Sequence, residues 1–286
     1  MYMKPIKIIE CPRDAMQGWP KQIPTAVKVA YINSLLRVGF DTLDMGSFVS
    51  PKAIPQMADT AEVLSLINTA DTHTKLLTIV ANLRGAEAAM AFNSINYLGF
   101  PFSISPTFQL RNTNSTMQDS MERVAAIQQL CTTHQKQLVI YLSMGFGNPY
   151  GDTYNETVLL DWAAVMAQMG IGIISLADTV GLATADQVKQ ALEVLIPKYP
   201  QIEFGVHLHS AQSNRAAKLQ AALDAGCQRF DGAIGGIGGC PMAQNDLIGN
   251  MDTSFMIDYF KQQQIPIAIE ESVFEKSKVL SSQIFS

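Results

Sequence analysis

With 286 residues, 48% of them hydrophobic and 16% charged, the chain can bury one large core or two small ones, which excludes disorder as its main state. A net charge of −5 with no block of Lys or Arg argues against a nucleic-acid or anionic-membrane surface, so an anionic ligand needs a local positive site. No apolar run is long enough to span a membrane, and Cys11, Cys131, Cys227 and Cys240 stand far apart with no Cys-x-x-Cys, so a cytoplasmic protein with reduced thiols is expected.

Ile6 to Glu10 is a short apolar run stopped by Cys11-Pro12. The spacing of Val27, Ala30, Tyr31, Ser34, Leu35 and Val38 then predicts a helix opened at Pro24-Thr25 and closed by Gly39, giving a strand, a loop and a helix. The unit recurs. Thr42 to Met45 predicts a strand and Asp59 to Asn68 a helix; Leu76 to Val80 and Ala86 to Asn93 repeat the pair. Tyr97 to Ile104 is the fourth strand, followed by a helix opened by a capping box at Ser115 and Gln118. Leu138 to Leu142 precedes a helix over Thr153 to Met169, and Ile171 to Ala177 precedes one opened by the capping box Thr184 and Gln187 and ending near Ile196, before Pro197. Glu203 to His209 with Gln212 to Ala225, and Phe230 to Ile234 with Thr253 to Gln263, complete eight pairs.

Eight strand–helix alternations, in a chain slightly longer than the roughly 250 residues usual for the fold, predict an α/β protein built as a (β/α)8 TIM barrel. An open doubly wound sheet ranks second. With no low-complexity linker, residues 1–286 read as one domain, and 265–286 as a short C-terminal extension packed on the barrel.

The barrel reading locates the chemistry, because active sites in this fold form where the strands end. His207 and His209 lie two apart in an extended run, so both imidazoles project from one face and can share a metal. Asp14 is the best-placed carboxylate to join them and Asn250 a candidate amide ligand. Such mixed ligation suits Mg2+ or Mn2+ and also admits Zn2+, Co2+ or Fe2+. Taken singly, each residue has a plainer reading: a satisfied core histidine, a loop carboxylate, a turn asparagine. Arg13, Asp44, Ser47 and Asp178 also follow strands, and the run Gly235 to Cys240 reads as a mobile lid carrying Cys240.

These residues stand in segments that resemble the 3-hydroxy-3-methylglutaryl-CoA lyase family: Glu10 to Gln17, Ser47 to Met57, Asn82 to Gly85, Asp178 to Gly181, Val206 to His209, and Gly236 to Gln244 with Gly249-Asn250. The resemblance implies that Asp14, His207, His209 and Asn250 bind Mg2+ or Mn2+, and that Arg13 stabilises the thioester enolate formed in a retro-Claisen cleavage. It further implies that Cys240 transfers a proton to the product, that Asp44 and Asp178 serve as acid–base or supporting groups, and that Gln17 and Ser47 contact substrate. The implied substrate is an acyl-CoA thioester, with acetyl-CoA and acetoacetate as products, and the implied assembly a homodimer. The chain departs from the pattern at Ala15, at Asp44 where glutamate is usual, and at Ser210, which replaces an aspartate; these positions predict a changed acyl pocket. A sister aldolase or acyl-CoA synthase on the same barrel, and a non-catalytic ligand-binding barrel, are the competing readings.

Overall fold

The computed structural model describes residues 5–239 and 248–286. Its strands are β1 (Lys7–Glu10), β2 (Thr42–Ser47), β3 (Lys75–Ile79), β4 (Ile95–Ser103), β5 (Gln137–Ser143), β6 (Ile173–Ala177), β7 (Glu203–His207) and β8 (Arg229–Gly232). Each pairs in parallel with the next, and β1 pairs in parallel with β8, so the sheet closes into the expected barrel. Alternation along the strands separates two cores. Leu77, Tyr97, Val139, Tyr141 and Ile173 cluster together within the barrel, while a larger core joins the outer faces of the strands to the helices.

The helices are α1 (Pro12–Gln17), α2 (Thr25–Leu35), α3 (Thr60–Leu66), α4 (Leu83–Met90), α5 (Pro106–Thr113), α6 (Met117–Thr133), α7 (Glu156–Gln168), α8 (Ala185–Lys198), α9 (Arg215–Asp224), α10 (Thr253–Gln262) and α11 (Glu271–Ile284). Three of them were not anticipated, among them α11, which forms most of the C-terminal extension. The segment expected to be a loop after the first strand is α1, and α5 lies between β4 and α6. Both have Pro in the first turn, where a missing N–H costs nothing, and both are too short to display a helical period.

Other boundaries shift for identifiable reasons. The capping box of α6 is Thr116 with Asp119, one residue beyond the expected Ser115 and Gln118, because Ser115 is buried against Ser120 and Gln109. The box at Thr184 and Gln187 forms as expected. Helix α7 starts at Glu156 rather than Thr153, since Asn155 caps it, and α8 runs through Pro197 to Lys198. Strand β7 stops at His207; His209 lies beyond it, in an isolated antiparallel bridge with Asn250.

The C-terminal extension contacts the elements beside it. Glu270 N–H donates to Val38 O at 2.7 Å, Phe274 meets Phe40 edge-on at 6.2 Å, and Phe285 meets Trp19 at 5.2 Å. No helix among the described residues is long and apolar enough to cross a membrane.

Candidate active site

The mouth of the barrel brings together residues from both ends of the chain. Asp14 sits on α1, directly after β1, and His207 ends β7. His209 is reached through the bridge to Asn250, fixed by Met251 N–H to Leu208 O at 2.9 Å and Ser210 N–H to Gly249 O at 3.0 Å. One ligand atom each from Asp14, His207 and His209 lie within 4.8 Å of one another. Asn250 Nδ2 donates to Asp14 Oδ2 at 2.8 Å and to Ile237 O at 2.9 Å, leaving Oδ1 buried with no partner among the described residues.

An orphaned amide oxygen next to a carboxylate and two imidazoles is the donor set a divalent cation satisfies, so the residues present fit the expected metal. The electrostatics agree. Burial works against a charged His207, but Asp14 and Asp231, on either side of its ring, outweigh that and raise it to about 10. The same field favours a cation at Nε2. Burial, reinforced by the charge of His207, lowers His209 to about 4, leaving it the neutral imidazole that metal coordination requires. Asp14 is pushed up by burial but held well below the usual carboxylate range by Arg13 and the two histidines.

Arg13 is enclosed by acids. Its Nη1 donates to Asp14 Oδ1 at 2.9 Å; Nε and Nη2 both donate to Asp44, Nε to Oδ2 at 3.1 Å. Burial raises Asp44 to about 6, with Arg13 pulling it down. Gln17 Nε2 donates to Asp14 Oδ1 at 2.6 Å. Arg13, Asp14, Gln17, His207 and His209 all line a cleft of 520 Å3. Its far wall is formed by α5, including Phe108 and Arg111, and by Tyr141 of β5. A second cleft, of 430 Å3, opens between Phe40, His73, Glu203 and Ala268 at the opposite end of the barrel and holds none of the candidate donors.

Not every expected residue faces the cleft. Asp178 is buried and turned away: its carboxylate accepts from Lys218 Nζ at 2.7 Å and from Ala183 N–H at 2.9 Å. Lys218 Nζ also donates to His209 O at 2.8 Å, so this ion pair holds the backbone of a candidate ligand from behind. Ser47 is buried; its N–H donates to Thr60 Oγ1, and its hydroxyl does not reach the cleft lining. Arg111 lines the cleft with its guanidinium 4.6 Å from the Tyr150 ring, whereas Lys52 and Arg84 are exposed and outside it. Cys240 lies outside the described residues, as do Pro241, Met242, Ala243 and Gln244 that follow it.

Asp231, on β8, was not anticipated. Its Oδ2 sits 3.2 Å from His207 Nδ1, the ring nitrogen opposite the one facing Asp14. It occupies the orienting position behind the imidazole of His207, a candidate ligand, the support that Ser210 cannot give. The signal was present: Arg229-Phe230-Asp231 alternates two charges through an otherwise apolar strand.

Comparison with known proteins agrees with the geometry. Residues 6–276 match the HMGL-like family model. The chain is 32% identical over 265 residues to the Bacillus subtilis hydroxymethylglutaryl-CoA lyase YngG, covering 92% of this chain and 88% of that one. It is 32% identical over 242 residues to the Pseudomonas aeruginosa 3-hydroxy-3-isohexenylglutaryl-CoA/hydroxymethylglutaryl-CoA lyase, covering 84% and 80%. Among solved structures, an Acinetobacter baumannii HMG-CoA lyase in complex with coenzyme A and 3-methylmalate superposes with a TM-score of 0.92 at 29% identity, over 100% of this chain and 92% of that one. The barrel, the donors gathered at its mouth and these matches together place the chain in the HMGL-like family, the family of the hydroxymethylglutaryl-CoA lyases.

Proposed function

We propose that this protein is a divalent-metal-dependent carbon–carbon lyase that cleaves 3-hydroxy-3-methylglutaryl-CoA, or a related 3-hydroxyacyl-CoA, to acetyl-CoA and acetoacetate. The observation that carries the reading is the gathering of Asp14, His207 and His209 beside Arg13 in one cleft, with the Asn250 amide hydrogen-bonded to Asp14. When bound, Mg2+ or Mn2+ supplies the Lewis acidity that lowers the pKa of the substrate's tertiary hydroxyl.

The chain's own groups divide the remaining work. Asp14, His207, His209 and Asn250 hold the cation; Asp231 fixes the ring of His207, and Lys218, neutralised by Asp178, fixes the carbonyl of His209. Arg13 presents a permanent positive charge to the thioester oxygen, where negative charge grows as the carbon–carbon bond breaks. Asp44 holds the guanidinium plane through two of its nitrogens, and Gln17 steadies Asp14. Cys240, next in the chain after the described part of the glycine loop, would return a proton to the enolate carbon. On this reading Asp44 and Asp178 are supporting groups rather than proton carriers.

The solved relative named above is in complex with coenzyme A, which supports an acyl-CoA substrate here, and one relative is named for a branched isohexenyl analogue. The cleft wall of Val49, Ile54, Ile79 and Pro101 offers an apolar surface for such a branch. A homodimer and a cytoplasmic location are the assembly and compartment that fit the resemblance and the dispersed thiols.

Incubation with a panel of 3-hydroxyacyl-CoA thioesters in Mg2+ or Mn2+, with products identified by mass, tests the proposal. Acetyl-CoA and a 3-oxo acid are expected, and a chelator should abolish both. Metal binding with no thioester cleaved would leave a ligand-binding barrel. Unaltered turnover in Cys240→Ser would favour the sister aldolase or synthase, in which that thiol has no task.

A further inference from the structure

Around His207 lie buried polar atoms that the proposed chemistry leaves unused. Cys11, just after β1, is fully buried, and the only hydrogen-bond contact of its thiol among the described residues is a 3.7 Å approach to Ile9 O. One ligand atom each from Cys11, His207 and Asp231 lie within 4.8 Å of one another, as close a grouping as the one formed by Asp14, His207 and His209. Asp231 uses Oδ2 on His207 Nδ1, while its Oδ1 is buried with no partner. Tyr141, whose ring stands edge-on to His207 at 5.8 Å, also has a buried, unpartnered hydroxyl. A thiol, a carboxylate with one orphaned oxygen and an imidazole nitrogen thus lie within reach of a single ion, with the Tyr141 ring beside His207, while Nε2 of the His207 ring faces Asp14.

We propose that Cys11, His207 and Asp231 form a second metal site, selective for a thiophilic divalent ion such as Zn2+ or Cd2+, lying beneath the Asp14–His207–His209 group and sharing His207 with it. Selectivity follows from donor type. A thiolate with one imidazole and one carboxylate is a soft, low-coordinate set suited to Zn2+ or Cd2+, whereas the oxygen-rich upper set suits Mg2+ or Mn2+. Because a neutral imidazole offers one lone pair at a time, an ion held through Nδ1 takes His207 from the upper group. Zn2+ and Cd2+ therefore compete with the hard cation without resembling it, and they lower its affinity. The inference concerns metal binding alone and does not depend on which thioester, if any, is cleaved.

The test is titration of the full chain with Cd2+ in excess Mg2+, following the ultraviolet thiolate-to-cadmium charge-transfer band. One equivalent should produce the band in the wild type. His209→Ala, which strips the upper group, should retain it; Cys11→Ser should lose it, with folding checked by circular dichroism. Asp231→Asn leaves every thiol in place and should weaken Cd2+ by about ten- to a hundredfold, which keeps the test decisive if Cys11→Ser fails to fold. The proposal falls if the wild type gives no band, in which case water alone satisfies the orphaned oxygens. It also falls if the band survives Cys11→Ser, or if Cys240→Ser removes it, since the ion would then sit on another thiol.

Discussion

Arg13 and Asp44 are the residues whose pairing sets the charge of the cleft. Burial raises the Asp44 carboxyl to about 6 even though Arg13 pulls it down, so the pair is complete only above that pH. As pH falls through about 6, Asp44 takes up a proton and its grip on the guanidinium weakens. The expected outcome is a kcat/KM that declines on the acid side with an apparent pKa near 6, a limb that Asp44→Asn removes while lowering the plateau. A pH–rate profile of the two proteins checks this, and an unchanged limb in Asp44→Asn would assign it to another group. At this scale much of the site was legible: Asp14, His207, His209 and Asn250 are polar residues where a barrel's strands should end. The groups behind them were not. Asp231 and Lys218 act from behind His207 and His209, and their placement comes from the register of β8 against β7 and of α9 against the end of β6, which no local pattern encodes.

Helices and loops hold the site through Glu10 and the start of the glycine loop. Glu10 is fully buried on β1, accepting from Ile234 N–H at 3.0 Å and from the Thr253 hydroxyl, and so ties β1 to the segments on either side of the glycine loop. Burial raises its pKa to about 8, against those two hydrogen bonds. Between its ordinary value near 4.5 and about 8 the folded state holds a proton that the unfolded chain has released. Glu10 therefore lowers stability as pH rises across that window, by up to about 1.4 kcal/mol per pH unit. Urea unfolding between pH 5 and pH 8, values chosen to lie roughly inside the window, should show that slope, and Glu10→Gln should flatten it. A wild-type stability that stays level would contradict the assignment.

Gly238 has φ +100°, and a Cβ there would meet Asp14 O at 2.6 Å and Asn250 Nδ2 at 2.8 Å. Gly238→Ala should weaken Mn2+ binding by about tenfold or more with little change in the urea midpoint, because the strain falls on two candidate ligands and not on the core. Long elements were readable from periodicity and capping. The short helices α1 and α5 were hidden by the prolines that begin them, and the reach of β7 was overestimated because His209 belongs to a bridge formed only when Asn250 returns from the far end of the chain.

The molecule as a whole is a barrel closed by β1 against β8, and that closure lets Asp14 and Asn250, 236 residues apart, hydrogen-bond in one site. The count of alternating units was enough to read the fold; the C-terminal helix and its contacts were not read from the sequence. Phe274, buried against Phe40, is its chief apolar anchor, and Phe274→Ala should cost about 3–5 kcal/mol in urea unfolding while leaving metal affinity unchanged.

The central claim, one divalent cation held by donors from both ends of the chain, is tested most directly by titrating chelator-treated protein with Mn2+ and measuring free ion by electron paramagnetic resonance. The wild type should bind one equivalent, and Asp14→Asn and His209→Ala should each lose about a hundredfold or more in affinity. Undiminished binding in both variants would contradict the account.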